Sequence, residues 1–177
     1  MYLRTETHST LVEERTAIFS AEPGEALYRY WLEILWDRAL PPLVALMLNP
    51  SKATHLINDN TVERMFRRAI MLRAGGLIVL NAFAWRETDR LKMLKVAEPV
   101  GPANDRFIRK GLAAARDQGG TVIAGWGNEG GHRDRHLEVI ELLRSEGIQA
   151  FCLAKCANGM PQHPLYLGYD APLIPWP

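Results

Sequence analysis

The chain has 177 residues, a net charge of +1, and 47% hydrophobic against 23% charged residues. That balance suits one α/β-sized domain over residues 1–177 with a real apolar core, and it excludes a global basic field of the kind non-specific duplex binding uses. No stretch approaches the roughly 20 consecutive apolar residues of a membrane-spanning helix, and MYLRTETHST has no secretory apolar core, so a cytoplasmic protein with no membrane partner is expected.

In chain order, residues 17–20 (AIFS) predict a short N-terminal strand, followed by a turn at Pro23-Gly24. From Tyr28 to Trp36 the large residues Tyr28, Tyr30, Leu32, Ile34 and Trp36 alternate, which predicts a strand with one buried face. Four short apolar runs then follow: residues 44–48, 77–80, 121–124 and 149–153. Runs without alternation are what strands covered on both faces look like. Between them lie helical patterns. Asn58 or Asp59 can cap a helix carrying Val62, Met65, Phe66, Ala69 and Ile70, stopped by Gly75-Gly76. A second helix spans about Asn104 to Arg116, with Phe107, Ile108, Leu112 and Ala115 inward. A third spans about Arg133 to Ser145, with Leu137, Ile140 and Leu143 inward. The alternation predicts a three-layer α/β/α fold around a central, mostly parallel four-stranded sheet, plus an N-terminal strand or hairpin.

In such sheets ligands bind beyond the carboxyl ends of the strands. The residues placed there are Asn49, Pro50 and Ser51, then Asn81, Phe83 and Trp85, then Trp126, Gly127 and Asn128, and finally His163. They are polar, uncharged and aromatic, without the glycine-rich turn and Lys of a phosphate loop. Asn81 offers a donor and an acceptor, which suits a nucleobase edge, though such an Asn also serves its own loop. Trp126 stacks on a planar ligand or simply covers the core. His163, held between prolines, can donate to a developing anion or tether its loop. Asp59 caps a helix or meets substrate. Arg133 lies in a polar helix start (His132 to His136) that is solvated or binds substrate. The histidines show no metal-ligand spacing, so no metal and no cofactor is expected. Cys152 and Cys156, four apart, lack redox or zinc spacing and read as reduced thiols.

Taken in order, Tyr28-Arg29-Tyr30, Leu48-Asn49-Pro50-Ser51, Asn58-Asp59-Asn60-Thr61, Asn81-Ala82-Phe83, Gly101-Pro102-Ala103-Asn104-Asp105, Trp126-Gly127 and Gly159-Met160-Pro161-Gln162-His163-Pro164-Leu165 resemble a bacterial and phage family known as domain of unknown function 1643. At longer range the same order resembles the uracil-DNA glycosylase superfamily. Its water-positioning motif ends the first core strand, where mismatch-specific members carry Asn-Pro, as Asn49-Pro50 does. Its base-reading Asn matches Asn81, its Trp-Gly strand end matches Trp126-Gly127, and its His-Pro loop matches His163-Pro164. The sequence departs from founding members in carrying Asn49 for their water-activating Asp, in lacking a clear aromatic after Pro50, and in having Leu165 for a Ser.

The resemblance implies that Asn49 orients a water and His163 assists the leaving base. Asn81, Ser51, Asp59 and Arg133 would bind substrate, and Phe83 or Trp126 would stack on it. The partner would be a nucleobase, a nucleotide or single-stranded or mismatched DNA. Two functions follow: a hydrolase of the N-glycosidic bond, and a non-catalytic module that binds a nucleotide, a modified base or a nucleic-acid end.

Overall fold

The structure, a computed structural model, describes residues 2–21, 26–51 and 53–177. The turn expected at Pro23-Gly24 lies outside the described residues. The chain opens with an antiparallel hairpin, β1 (Leu3–Ser9) and β2 (Glu14–Ser20). Thr10 closes its turn, its Oγ1 accepting from the backbone of Val12 and Glu13. β3 (Arg29–Leu35) pairs antiparallel with β2. Four parallel strands follow: β4 (Pro42–Met47), β5 (Gly76–Asn81), β6 (Thr121–Gly125) and β7 (Ala150–Cys152), and β8 (Ile174–Trp176) closes the far edge antiparallel to β7.

These strands form one eight-stranded mixed sheet in the order β1-β2-β3-β5-β4-β6-β7-β8. The expected four-stranded central sheet is therefore corrected: the parallel strands are the middle of a sheet twice as wide. The reason lies at its edges. β1 reads LRTETHS and is mostly exposed, so it carries no apolar signal. β8 contains Pro175, which an edge strand tolerates because its missing N–H faces away from the ladder.

Helix α1 (Asn60–Met71) covers one face, where Val62, Met65 and Ala69 join Met47, Leu77 and Val79 in one apolar cluster. Helices α3 (Asn104–Gln118) and α4 (Arg135–Ser145) cover the other through Phe107, Ile108, Leu112, Val139, Leu142 and Leu143. A single turn, α2 (Arg90–Met93), sits between β5 and α3. β4 lies between β5 and β6; the connection leaving β4 runs through α1 on one face, while those leaving β5 and β6 run through α3 and α4 on the other. That makes the end of β4 a switch point, where adjacent loops diverge and open a crevice.

Three local expectations are revised. α1 ends at Met71, with Arg73 and not a glycine in the left-handed region (φ 56°). Gly75 and Gly76 instead enter β5, and a Cβ on Gly75 would lie 2.0 Å from the carbonyl oxygen of Asp37. α4 begins at Arg135 after a 3-10 stretch, and Leu137 is 55% exposed, while Val139 and Leu142 turn inward.

The third revision concerns β3, which is buried on both faces. Ile18 of β2 pairs with Trp31 and Phe19 pairs with Arg29, so the register shifts by one residue at Tyr30. Such a bulge reverses the alternation of side chains. Tyr28, Tyr30 and Trp31 therefore pack toward α3, Tyr30 stacking on Phe107 at 5.6 Å, while Leu32 and Ile34 face α1. Arg29, which would otherwise share a face with Trp31, is turned to the α1 side.

Candidate functional site

A cleft of about 600 Å³ opens at the carboxyl edge of the parallel strands, on the α1 side of the switch point. Its volume is in the range of small-molecule sites. Asn49, Ser51, Asp59, Asn81, Trp126 and His163 all line it, so six side chains from five separate segments meet at one place. Phe83 and Arg133 do not. Phe83 is fully buried in the α3–α4 core beside the His132 ring, because it follows Asn81 by two residues past the strand end and the chain there curls under Leu48. Arg133 donates to the carbonyls of Val96 and Ala97 (3.1 and 2.6 Å) and so fastens the connection after α2. The expected stacking role of Phe83 and binding role of Arg133 are thus replaced by packing and tethering.

The β5 end is held firmly. Asn104, the first residue of α3, donates from Nδ2 to the carbonyls of Asn81 (2.9 Å) and Ala82 (3.0 Å). The buried Arg135 adds a bond to the carbonyl of Ala82 and pairs with Asp105 and Glu138. On this fixed turn the Asn81 side chain accepts from Nη2 of Arg29 at 3.2 Å. The guanidinium sets the amide's orientation, oxygen toward Arg29, and leaves Nδ2 with no hydrogen bond among the described residues.

Arg29 itself is 2% exposed. Its Nη1 donates to the carbonyl of Ala53 (2.8 Å), its Nε has no partner, and no carboxylate among the described residues lies within ion-pair distance. Burial pushes its pKa down to about 10. Asp59 opposes the shift at a distance and the like charge of Arg86 adds to it. Sequence reasoning named this residue only within the Tyr28-Arg29-Tyr30 motif and gave it no role in the site. The available signal was a charge set among Tyr28, Tyr30, Trp31 and Leu32.

Asn49 is tied to the opposite wall. Its Nδ2 donates to the carbonyl of Glu87 at 2.6 Å and approaches those of Pro50 (3.1 Å) and Trp85 (3.5 Å), so its free polar atom is Oδ1, an acceptor. Ser51 and Thr88 share a hydrogen bond at 3.2 Å across the same rim. Asp59 is the N-cap of α1, with Oδ1 accepting from the backbone of Thr61 and Val62. Arg90 and Glu129 pair at 2.8 Å and join two further walls. Trp126 is 1% exposed and meets Trp176 edge-on, so it closes the floor more than it offers a face. Gly130 permits that position, since a Cβ there would lie 2.0 Å from the indole.

His163 caps the 3-10 turn Pro164–Tyr166, its Nδ1 accepting from the backbone N–H of Leu165 at 3.3 Å. That bond places the ring proton on Nε2. Burial holds the pKa below its ordinary 6.5, opposed by Asp59 and Glu129 and aided by Arg90. At neutral pH the ring is an uncharged donor. Its loop is clasped by α1: Arg68 donates to Gly168 and Tyr169, Arg64 to Leu167, and both guanidiniums lie over the Tyr169 ring.

Among the described residues no three His, Cys, Asp or Glu side chains gather as a metal site, and no helix is long and apolar enough to cross a membrane. Cys152 and Cys156 are free thiols.

Fold and cleft together define a mixed-sheet α/β protein with one polar cavity at its switch point. The chain belongs to the family of proteins of unknown function DUF1643, whose family model matches residues 29–165. That span begins at Arg29 and reaches past His163. Searches of curated proteins and of solved structures return no match.

Proposed function

We propose that the cleft binds a nucleobase-bearing ligand, a nucleotide or a nucleotide of single-stranded or mismatched DNA, and hydrolyses its N-glycosidic bond in the manner of the uracil-DNA glycosylase superfamily. The observation that carries this is the pairing of two donors, Asn81 Nδ2 and His163 Nε2–H, with one acceptor, Asn49 Oδ1, in a single cavity of nucleotide size. Asn81 reads a carbonyl of the base. Asn49 holds a water on the sugar side. The water oxygen bonds to C1′, and the C1′–N electron pair leaves with the base. The charge that develops on the base oxygen meets the His163 N–H, a neutral donor already in place before reaction. The water's surplus proton passes to the free Oδ2 of Asp59, then through solvent to the departed base.

A second reading, a module that binds a nucleotide, a modified base or a nucleic-acid end without cleaving it, is favoured by one specific observation. The Nδ2 of Asn49 is committed to loop carbonyls, and no carboxylate stands in the water-holding place. Turnover separates the two. The purified protein, in excess and at low salt, is incubated with labelled oligonucleotides carrying uracil, hypoxanthine or xanthine, and then treated with alkali. The hydrolase reading expects strand breaks at the modified base and a loss on the order of 10²–10³ in rate for His163→Ala. Saturable ligand binding with no breaks above background leaves the binding module.

A further inference from the structure

We propose that Arg29 is an oxyanion seat: the ligand of this cleft carries a phosphate that docks on the buried guanidinium. The inference relies on the cleft being the binding site and not on any cleavage there.

Three independent features point the same way. The bulge at Tyr30 shifts the phase of β3 so that Arg29 lies on the cavity side of the sheet while Tyr28 and Tyr30 pack on the other. The guanidinium is 2% exposed, lines the cavity, and spends its hydrogen bonds on two neutral acceptors, Ala53 O and Asn81 Oδ1, with Nε unpartnered. A guanidinium has five N–H donors in a planar fork suited to phosphate, so donor capacity remains. Finally, Asp59 does not serve as its counter-ion. Asp59 lines the same cavity but uses Oδ1 to cap α1 and makes no ion pair with Arg29.

A buried charge without a partner is costly to the fold. Of the other two buried arginines among the described residues, Arg135 meets Asp105 and Glu138, and Arg68 meets two carbonyls and an aromatic face. Arg29 has neither a carboxylate nor an aromatic face among the described residues, and of the three it is the one that lines the cavity. Asn81 Nδ2 and His163 Nε2–H line the same cavity, so beside Arg29 the lining offers donors to a phosphate; its carboxylates are Asp59 and Asp89, which cap α1 and α2, Glu129, which pairs with Arg90, and Glu87. That phosphate belongs either to a free mononucleotide or to the end of a strand; the chemistry at Arg29 is the same.

The test is calorimetric titration of the full chain, as wild type, Arg29→Met and Arg29→Lys. The probes are ribo- and deoxyribonucleoside monophosphates, the matching nucleosides, inorganic phosphate, and a short oligonucleotide with and without a terminal phosphate. Monophosphates should bind at least about tenfold more tightly than their nucleosides, and Arg29→Met should erase that advantage. Arg29→Lys, which keeps charge but not the fork, should fall between the two. Inorganic phosphate should compete. Preference for the phosphorylated oligonucleotide over the mononucleotide identifies a strand end as the source. Without ligand, Arg29→Met should melt no lower than wild type, because the stranded charge is gone. Phosphate affinity that survives Arg29→Met, or a wild-type protein that binds no phosphorylated probe, overturns the proposal and leaves Arg29 a tether for the loop at Ala53. If Arg29→Met does not fold, undiminished phosphate affinity in Arg29→Lys serves the same end. Phosphate binding without discrimination among bases would instead sink the nucleobase reading alone. Nucleoside binding with no phosphate advantage would sink only the seat.

Discussion

Arg29 donates to the side-chain oxygen of Asn81, one buried cation and one buried amide at 3.2 Å, with no carboxylate among the described residues closing the circuit. The two residues are 52 apart in sequence and meet because β3 runs antiparallel to β5. Each is poorly placed for stability alone. The arrangement makes sense if the cavity they face is sometimes filled.

The first prediction is that Asn81→Asp is more stable than wild type and binds ligand worse. A carboxylate at this position becomes the missing counter-ion of Arg29, and charged hydrogen bonds contribute about 1.5–3 kcal/mol. It also neutralises the charge and removes the Nδ2 donor. Asn81→Ala should go the other way, costing about 1–3 kcal/mol because a guanidinium N–H is stranded. Chemical denaturation of the three proteins checks both signs, and a destabilised Asn81→Asp would show that Arg29 is already compensated.

The second concerns pH. The folded pKa of His163 lies below its ordinary 6.5. Between those two values the unfolded chain holds the proton and the folded chain does not, so stability rises with pH across that window. Wild type should therefore lose stability as pH falls from 6.5, while His163→Gln should lose less. The groups facing the ring, Asp59, Glu129 and Arg90, are common to both proteins, so the difference isolates the imidazole. Thermal midpoints from pH 8 to pH 5 measure it. A wild-type midpoint that gains on the variant toward acid would mean the ring acquires a counter-ion on folding.

Much of the site was legible because strand ends announce themselves. A buried apolar run that stops at Asn81 or at Met47-Leu48-Asn49 must leave the sheet there, and parallel strands bring such exits to one edge. What was hidden depends on phase. Tyr30 and Leu32 belong to one periodic series in the sequence, yet a single bulged residue sends them to opposite faces and carries Arg29 with it. Phe83 suffered the same uncertainty two residues past its strand, where alternation no longer applies. Of the outer strands, β1 was foreseen only as part of an N-terminal strand or hairpin and β8 not at all, because the polar residues of β1 and the proline of β8 form strands through pairing more than through an apolar pattern.

The third prediction separates the two duties of Asp59. Asp59→Ala should cost about 1 kcal/mol by removing the cap of α1, while Asp59→Asn should stay within about 0.5 kcal/mol, since an amide oxygen also accepts from Thr61 and Val62. Asp59→Asn also withdraws the negative charge that raises the pKa of both Arg29 and His163. Anionic ligands should therefore bind Asp59→Asn more tightly than wild type, at unchanged stability. Equal binding in calorimetry would place the carboxylate out of electrostatic reach of the ligand.

The last prediction is at Asn49. The glycosylase-type reaction proposed for the cleft invites the substitution Asn49→Asp as a gain of a water-activating carboxylate. The geometry argues against it. Asn49 Nδ2 donates to the carbonyl of Glu87 at 2.6 Å and also faces those of Pro50 and Trp85. A carboxylate there has no proton to give and would turn an oxygen toward three carbonyl oxygens. Either the carboxylic acid stays protonated or the segment from Trp85 to Glu87 pulls away, taking Thr88 and the cap of α2 with it. The lost bond and the repulsion together should cost about 1–3 kcal/mol. Asn49→Asp should thus melt lower than wild type, expose the 85–89 segment to faster amide exchange, and release no more base from uracil-containing oligonucleotides. Asn49→Ala should melt lower too, but without the repulsion and with less disturbance of that segment. A faster Asn49→Asp enzyme of normal stability would mean that the loop tolerates the carboxylate and that the water-holding place is as close to the glycosylase arrangement as the sequence suggests.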